Sequence, residues 1–340
     1  MSKSVARVPL VAGVDLGGTK ILAGLVDTEN RILGRAKSPT PSQEGNRAIL
    51  AAIVEALGQA CASAGVAPSD LTGIGLGSPG PLDPEAGVIL FSANLNVRDF
   101  AIGPDLSRAT GLPVLVRNDV RVGGYGEFRL GAGRGYRNVL AAFVGTGIGG
   151  CVIIDGVMQT GSTGNAGEVG HLIVKPRGPK CGCGRRGCLE ALASRTAIAR
   201  RIIKAHKQGI PTSLGNKLAS GRNERLKSKE LAAAYQLGDP VVIREVQRSA
   251  HYLGLALGGL VNVLGPQIVI VGGGVTEAMG EDYLHHVRES AWQQMLFDPE
   301  RTIPIVAGAL GDDAGLLGAA LLAREKFVPI EASADVESPD

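Results

Sequence analysis

The sequence predicts an α/β protein of two domains, and three observations carry that reading. A chain of 340 residues with 44% hydrophobic content is long enough for two separate cores. Residues 9–36 and 139–161 follow one plan, in which an apolar strand, a glycine turn, a second strand, a tight turn and a third strand make an antiparallel meander. Each meander is followed by segments of helical period and by short buried strands. The expected division is a small domain over 1–121, completed by a C-terminal helix at 314–325, and a larger domain over 122–313.

After the first meander, Ile49, Ile53, Leu57 and Ala60 recur at helical spacing within 43–65, and Ser42 stands where an N-cap is expected. A buried strand follows at Leu71–Leu76 and ends near Gly80-Pro81. A hairpin-like section runs to Asn96, and Pro113–Val116 is another strand, ending at Asn118-Asp119. The second meander sets Val139–Val144 before Gly145-Thr146-Gly147 and then the β-branched run from Val152. Helices are expected near 194–207, 228–236 and 239–262. Strand Ile268–Val271 carries Gly272, Gly273 and Gly274 at its carboxyl end, which is the ligand-binding end in open α/β sheets. Ala314–Glu325 reads as a helix packing back on the first domain, and 328–340 as a disordered tail rich in Pro, Ser and acid. Arg200, Arg201, Lys204 and Lys207 read as a solvated helix face.

Composition excludes several classes. With 35 basic and 32 acidic residues the net charge is only +3, so nucleic acid is not expected as a main partner. No apolar run approaches the ~18 uninterrupted residues of a membrane span, and the N-terminus lacks a signal peptide's apolar region, so no membrane partner is expected. Five cysteines, three of them crowded together, do not make a disulfide scaffold and point to reduced thiols in the cytoplasm. The 50 glycines have no collagen-like period and imply tight turns and close backbone approaches to a ligand.

The strongest local signal is Glu168-Val-Gly-His171, followed after nine residues by Cys181, Cys183 and Cys188, with Glu190 just beyond. One imidazole and three thiols satisfy the tetrahedral N/S preference of Zn²⁺. Four protein ligands leave no position for a catalytic water, so the expected role is structural, with Glu168 and Glu190 held in place by the knuckle.

Two stretches, Gly75–Gly80 and Gly145–Gly150, satisfy G-x-G-x-x-G, yet neither opens a helix as a dinucleotide fingerprint requires. Two hairpin loops remain, Gly17-Gly18-Thr19-Lys20 and Gly145-Thr146-Gly147. Either is a plain tight turn or a cradle aiming backbone N–H groups at phosphate oxygens; their equivalent places in a duplicated frame favour phosphate. Asp15 ends the first strand, where it can reach a Mg²⁺ ion through water or cap the turn. Asp119, at another strand end, suits proton acceptance from a bound hydroxyl, although taken alone such a residue is more often a helix N-cap.

These residues together resemble the ROK family of repressors and sugar kinases over about residues 9–325. The marks are Asp15–Lys20, Gly77–Asp83, Asn118-Asp119, Val144–Gly149, Glu168–His171, the Cys181/Cys183/Cys188 knuckle and Ile270–Val275. The resemblance implies the two-domain actin-like ATPase (ribonuclease H-like) fold, with duplicated mixed sheets and a zinc knuckle. It implies a sugar gripped by Asn94, Asn118, Asp119, Glu168, His171 and Glu190, with Asp119 as base for the 6-hydroxyl. His171 would serve twice, one ring nitrogen on zinc and the other toward a sugar hydroxyl. ATP with Mg²⁺ would lie between the domains. Its phosphates would rest on the two hairpin loops, and its adenosine near Gly273 and Gly274.

The implied reaction is phosphorylation of a hexose. Glucose is favoured because Ser78–Asp83 and the cysteine knuckle look most like the glucokinase branch. Other hexoses, polyphosphate as donor, and a non-catalytic sugar-binding protein stay open. A sugar-responsive repressor is disfavoured because the first strand begins by about residue 9, without room for a DNA-binding domain. The family suggests homodimers or homotetramers. Arg121 and Cys151 stand where relatives commonly have Asn and Gly.

Overall fold

The computed structural model describes residues 9–219, 226–296 and 301–328. They form two compact units, one running up to Gly126 and resuming at Asp312, the other Glu127–Gly311.

In the first unit, β1 (Leu10–Leu16), β2 (Lys20–Val26) and β3 (Ile32–Pro39) make the expected meander. Helix α1 (Asn46–Ala64) follows, then β4 (Leu71–Ser78), the small antiparallel sheet β5 (Leu82–Asp83), β6 (Val88–Ser92) and β7 (Val97–Phe100), helix α2 (Ile102–Thr110), β8 (Val114–Asn118) and α3 (Asp119–Leu130). The main sheet has the order β3-β2-β1-β4-β8, with β4 parallel to both β1 and β8. Its central strands read as nearly continuous apolar runs because helices cover both faces.

Helix α1 has the length and apolarity of a membrane span. Its stripe of Ile49, Ile53, Ala56, Leu57 and Ala60 is nonetheless buried in the core of this unit, which accounts for the apolarity. Ser42 is not its cap. The Ser42 N–H bonds Thr40 O at 2.9 Å in a turn, and Gly45, at φ 86°, redirects the chain into the helix.

The C-terminal helix Ala314–Phe327 packs on this same sheet. It comes so close that a Cβ on Gly13 would lie 2.0 Å from Leu316 O, and one on Gly75 would lie 1.9 Å from Ala319 O. Part of the glycine excess therefore serves helix-to-sheet packing rather than ligand approach.

The second unit repeats the first. Strands β9 (Val139–Val144), β10 (Ile148–Ile154) and β11 (Val157–Met158) form the second meander, and β12 (Ile268–Gly272) and β13 (Ile305–Ala307) extend it in parallel. The order β11-β10-β9-β12-β13 matches the first sheet position for position. Seven helices belong to it among the described residues: α4 (Leu189–Ala193), α5 (Arg195–Lys207), α6 (Gly215–Ala219), α7 (Ser228–Gln236), α8 (Pro240–Leu264), α9 (Gly274–Met279) and α10 (Glu281–Trp292). Asp239 caps α8, its Oδ1 accepting from the Val241 and Val242 amides at 2.9 and 3.1 Å.

The expected solvated face on α5 needs correction at Arg201. Its Nε lies 2.5 Å from Glu245 Oε2, and Glu245 is only 3% exposed. Arg200 and Arg201 also donate to Ala191 O and Leu192 O, both at 2.7 Å, closing the carboxyl end of α4. The expected tail over 328–340 lies outside the described residues from 329 onward.

Candidate active site

In the first unit the predicted residues collect at the carboxyl ends of parallel strands. Asp15 stands near the end of β1, Ser78 ends β4, and Asn118 ends β8, paired in register with Ser78. The β1–β2 hairpin is closed by Gly17 N–H to Lys20 O at 2.9 Å, and Thr40 Oγ1 donates to Gly17 O at 2.6 Å. Asn94 sits directly over this hairpin: a Cβ on Gly18 would lie 2.7 Å from Asn94 O. Lys20 Nζ pairs with Asp312 Oδ1 at 2.7 Å.

Burial pushes the Asp15 carboxyl up to about 6; Lys20 pulls against this and Asp312 adds to it. A carboxylate held uncomfortably ionised beside a glycine hairpin gains from a cation.

Asn118 and Asp119 divide two tasks. Asn118 Oδ1 accepts from the Val120 and Arg121 amides at 3.1 and 3.2 Å, so it takes the capping role at the start of α3. Asp119 is the first helical residue, with Oδ1 accepting from Val120 N–H at 2.9 Å. The N-cap alternative for Asp119 thus falls to its neighbour. Ser78 Oγ, buried beside this pair, has no hydrogen-bond partner among the described residues.

In the second unit, the β9–β10 hairpin is closed by Gly145 N–H to Gly147 O at 2.9 Å. A Cβ on Gly170 would lie 2.0 Å from Ile148 O, so the glycine lets the Glu168–His171 turn rest directly on β10. Glu168 is exposed, while His171 is half-buried.

His171, Cys181, Cys183 and Cys188 converge, each offering one ligand atom, all within 4.8 Å of one another. Cys181 Sγ lies 3.8 Å from His171 Nδ1, and the Cys183 and Cys188 sulfurs are 3.7 Å apart. Tetrahedral coordination at a Zn–S length of ~2.3 Å separates ligand atoms by about 3.7 Å, so the set fits that ion. Against the upward push of burial, the Arg185 N–H and side chain draw Cys183 down to about 6. Burial instead pushes Cys181 up to about 12.

Glu190 is half-buried beside the knuckle. Its Oε2 accepts the Ile148 N–H at 3.1 Å, and its Oε1 lies 3.7 Å from Cys181 Sγ. Gly273, at φ 86°, backs onto Val144, where a Cβ would meet backbone N and O at 2.8 Å. A cavity of about 60 Å³ opens there, lined by Glu127, Phe143, Gly273, Thr276, Glu277 and Gly308.

Sequence reasoning did not find Asp312, Arg195 or Glu127. The buried Glu127 carboxylate accepts the Ala132, Ala309 and Leu310 amides at 3.0, 2.9 and 2.8 Å, shaping the cavity wall. The partners lie 49 to 292 residues apart for Arg195 and Lys20, and no local pattern encodes such pairs.

Residues 11–326 match the ROK family. The chain is 37% identical over 316 residues to a glucokinase of Thermotoga maritima, covering 93% of this chain and 97% of that protein. It is 34% identical to an N-acetylmannosamine kinase of Citrobacter koseri, over 92% of this chain and 97% of that protein. A ROK family glucokinase from Streptomyces griseus, solved with glucose and AMPPNP, superposes with a TM-score of 0.81 at 36% identity, covering 93% of this chain and 99% of that one.

Proposed function

Because this chain belongs to the ROK family, we propose that it is a hexose kinase transferring the terminal phosphoryl group of ATP to the 6-hydroxyl of D-glucose. The observation that carries the reading is the duplicated sheet: two glycine hairpins stand at corresponding turns of two sheets with one strand order. Each presents backbone N–H groups and a threonine hydroxyl suited to phosphate oxygens, and Lys20, ion-paired with Asp312, lies on the first. The ROK glucokinase crystallised with glucose and AMPPNP supports the same pair of ligands.

Asp119 accepts the proton of the sugar hydroxyl as its oxygen attacks the terminal phosphorus and ADP departs. Asn118, fixed by its two bonds to the start of α3, orients Asp119 and offers its amide N–H₂ to a neighbouring hydroxyl. Asn94, Glu168, His171 and Glu190 supply further acceptors and donors for the ring hydroxyls. Glu190 keeps acceptor capacity for this, since a carboxylate has about four lone-pair directions, of which the Ile148 amide uses one and the Cys181 sulfur faces another. Gly273 and Gly274 border the adenosine.

Zn²⁺ would be held by His171, Cys181, Cys183 and Cys188, and when bound it ties the loop together, with no open position for water. Mg²⁺ would draw on the Asp15 carboxylate and supplies charge neutralisation at the phosphates. That none of the five cysteines is in a disulfide suits a reducing compartment such as the cytoplasm, and a homodimer or homotetramer is the assembly we expect.

A coupled ADP-release assay across glucose, mannose, fructose, N-acetylglucosamine and N-acetylmannosamine tests the proposal. Glucose should give the highest kcat/KM. Turnover confined to an N-acetylated sugar would move the chain to that substrate, and no turnover with any hexose would end the kinase reading.

A further inference from the structure

The β9–β10 hairpin is gripped by one short segment of its own unit. Ile148 N–H donates to Glu190 Oε2 at 3.1 Å and Arg195 N–H to Gly145 O at 3.0 Å. Arg195 Nη2 donates to Thr146 Oγ1 at 2.6 Å, and Thr196 Oγ1 to Thr146 O at 2.7 Å. Every partner of the loop in these four bonds lies within Glu190–Thr196, which begins two residues after Cys188.

That segment is itself well anchored. Arg200, Arg201 and Ser249 bond the carbonyls of Ala191, Leu192 and Ala193 in turn, and Ser194 Oγ accepts the Ala197 N–H at 3.2 Å to start α5. A Gly-Thr-Gly tip has wide backbone freedom and almost no side chain with which to hold itself. Its shape is therefore imposed from Glu190–Thr196.

We propose that Arg195 is a positioning residue for nucleotide binding, acting through Thr146. This rests on the reading that the hairpin receives a phosphate group. An arginine has donors only, so Thr146 Oγ1 must be the acceptor in their bond. The Thr146 proton is then turned away from the guanidinium and available to an anion. The same residue's backbone N–H fixes Gly145 O, so one side chain and one amide set both ends of the Gly145-Thr146 peptide. Thr146 is exposed and Arg195 is half-buried, so the bond between them adds little to folding and a nucleotide role explains its geometry better.

Titration calorimetry with AMPPNP at saturating glucose, and with glucose alone, compares wild type, Arg195→Ala and Arg195→Lys. Arg195→Ala should bind AMPPNP about tenfold more weakly and raise the KM for ATP alike, with kcat and glucose affinity within about twofold of wild type. Arg195→Lys should recover part of the loss, since a lysine keeps the charge without the planar fork. If Arg195→Ala binds AMPPNP like wild type, or loses glucose affinity to the same degree, the positioning role is overturned while the kinase reading stands. A wild-type protein that binds glucose but no AMPPNP overturns both together.

Discussion

Lys20 Nζ lies 2.7 Å from Asp312 Oδ1, joining the first glycine hairpin to the turn that leads into the C-terminal helix. Asp15 senses both charges, the lysine lowering and the aspartate raising its proton affinity, and burial outweighs them.

The consequence for pH follows from the sign of that shift. The Asp15 carboxyl rises from 3.8 to about 6, so in that window the folded protein holds a proton that the unfolded chain has released. Stability attached to this group is present below the unfolded value and is lost as pH rises through the folded one. Asp15→Asn should therefore raise the melting temperature at pH 7.5 more than at pH 4.5, while weakening Mg²⁺-dependent turnover. Thermal melts at the two pH values read the first effect, and an equal or opposite change would contradict the burial of an ionised carboxylate.

Gly75→Ala tests the packing of the C-terminal helix. The added methyl would sit 1.9 Å from Ala319 O, a backbone atom that cannot swing aside. Destabilisation of about 1–3 kcal/mol or more is expected, measured by urea unfolding. Gly58→Ala is the control, since nothing lies within 4 Å of a Cβ there and the helix interior favours alanine.

The buried Arg201–Glu245 pair predicts an asymmetry. Glu245→Ala leaves a guanidinium buried without its carboxylate and should cost about 3–5 kcal/mol by denaturant titration. Arg244 and Arg248 also approach Glu245 but are far more exposed, and Arg248→Ala should change stability by no more than about 1 kcal/mol.

Metal content is the next check. The purified protein should hold about one zinc per chain by atomic absorption, and Cys183→Ser should lose the metal and melt several degrees lower. Full zinc retention in Cys183→Ser would remove this residue from the ligand set.

Much of this was legible in the sequence for a physical reason. The two meanders alternate apolar strands with glycine turns, and that pattern is local, so β1–β3 and β9–β11 emerged at their places. Helices α5, α7 and α8 lie where segments near 194–207, 228–236 and 239–262 were expected. Helix α3 was hidden, because Gly123, Gly124 and Gly126 break the propensity signal; at Gly126 a Cβ would lie 2.5 Å from Ala314 O. Arg201 looked like one more solvated cation until α8 brought Glu245 against it. The convergence of His171, Cys181, Cys183 and Cys188 was readable from spacing alone, whereas the grip of Glu190, Arg195 and Thr196 on the second hairpin exists only in the folded chain.

The most direct test of the account is the single-turnover rate of Asp119→Asn with glucose and ATP, alongside its glucose affinity. Losing the proton acceptor while keeping a side chain of the same shape should slow phosphoryl transfer on the order of 10²–10⁴-fold, with glucose binding within about threefold of wild type. Transfer at a rate close to wild type would contradict the assignment of Asp119 as the base.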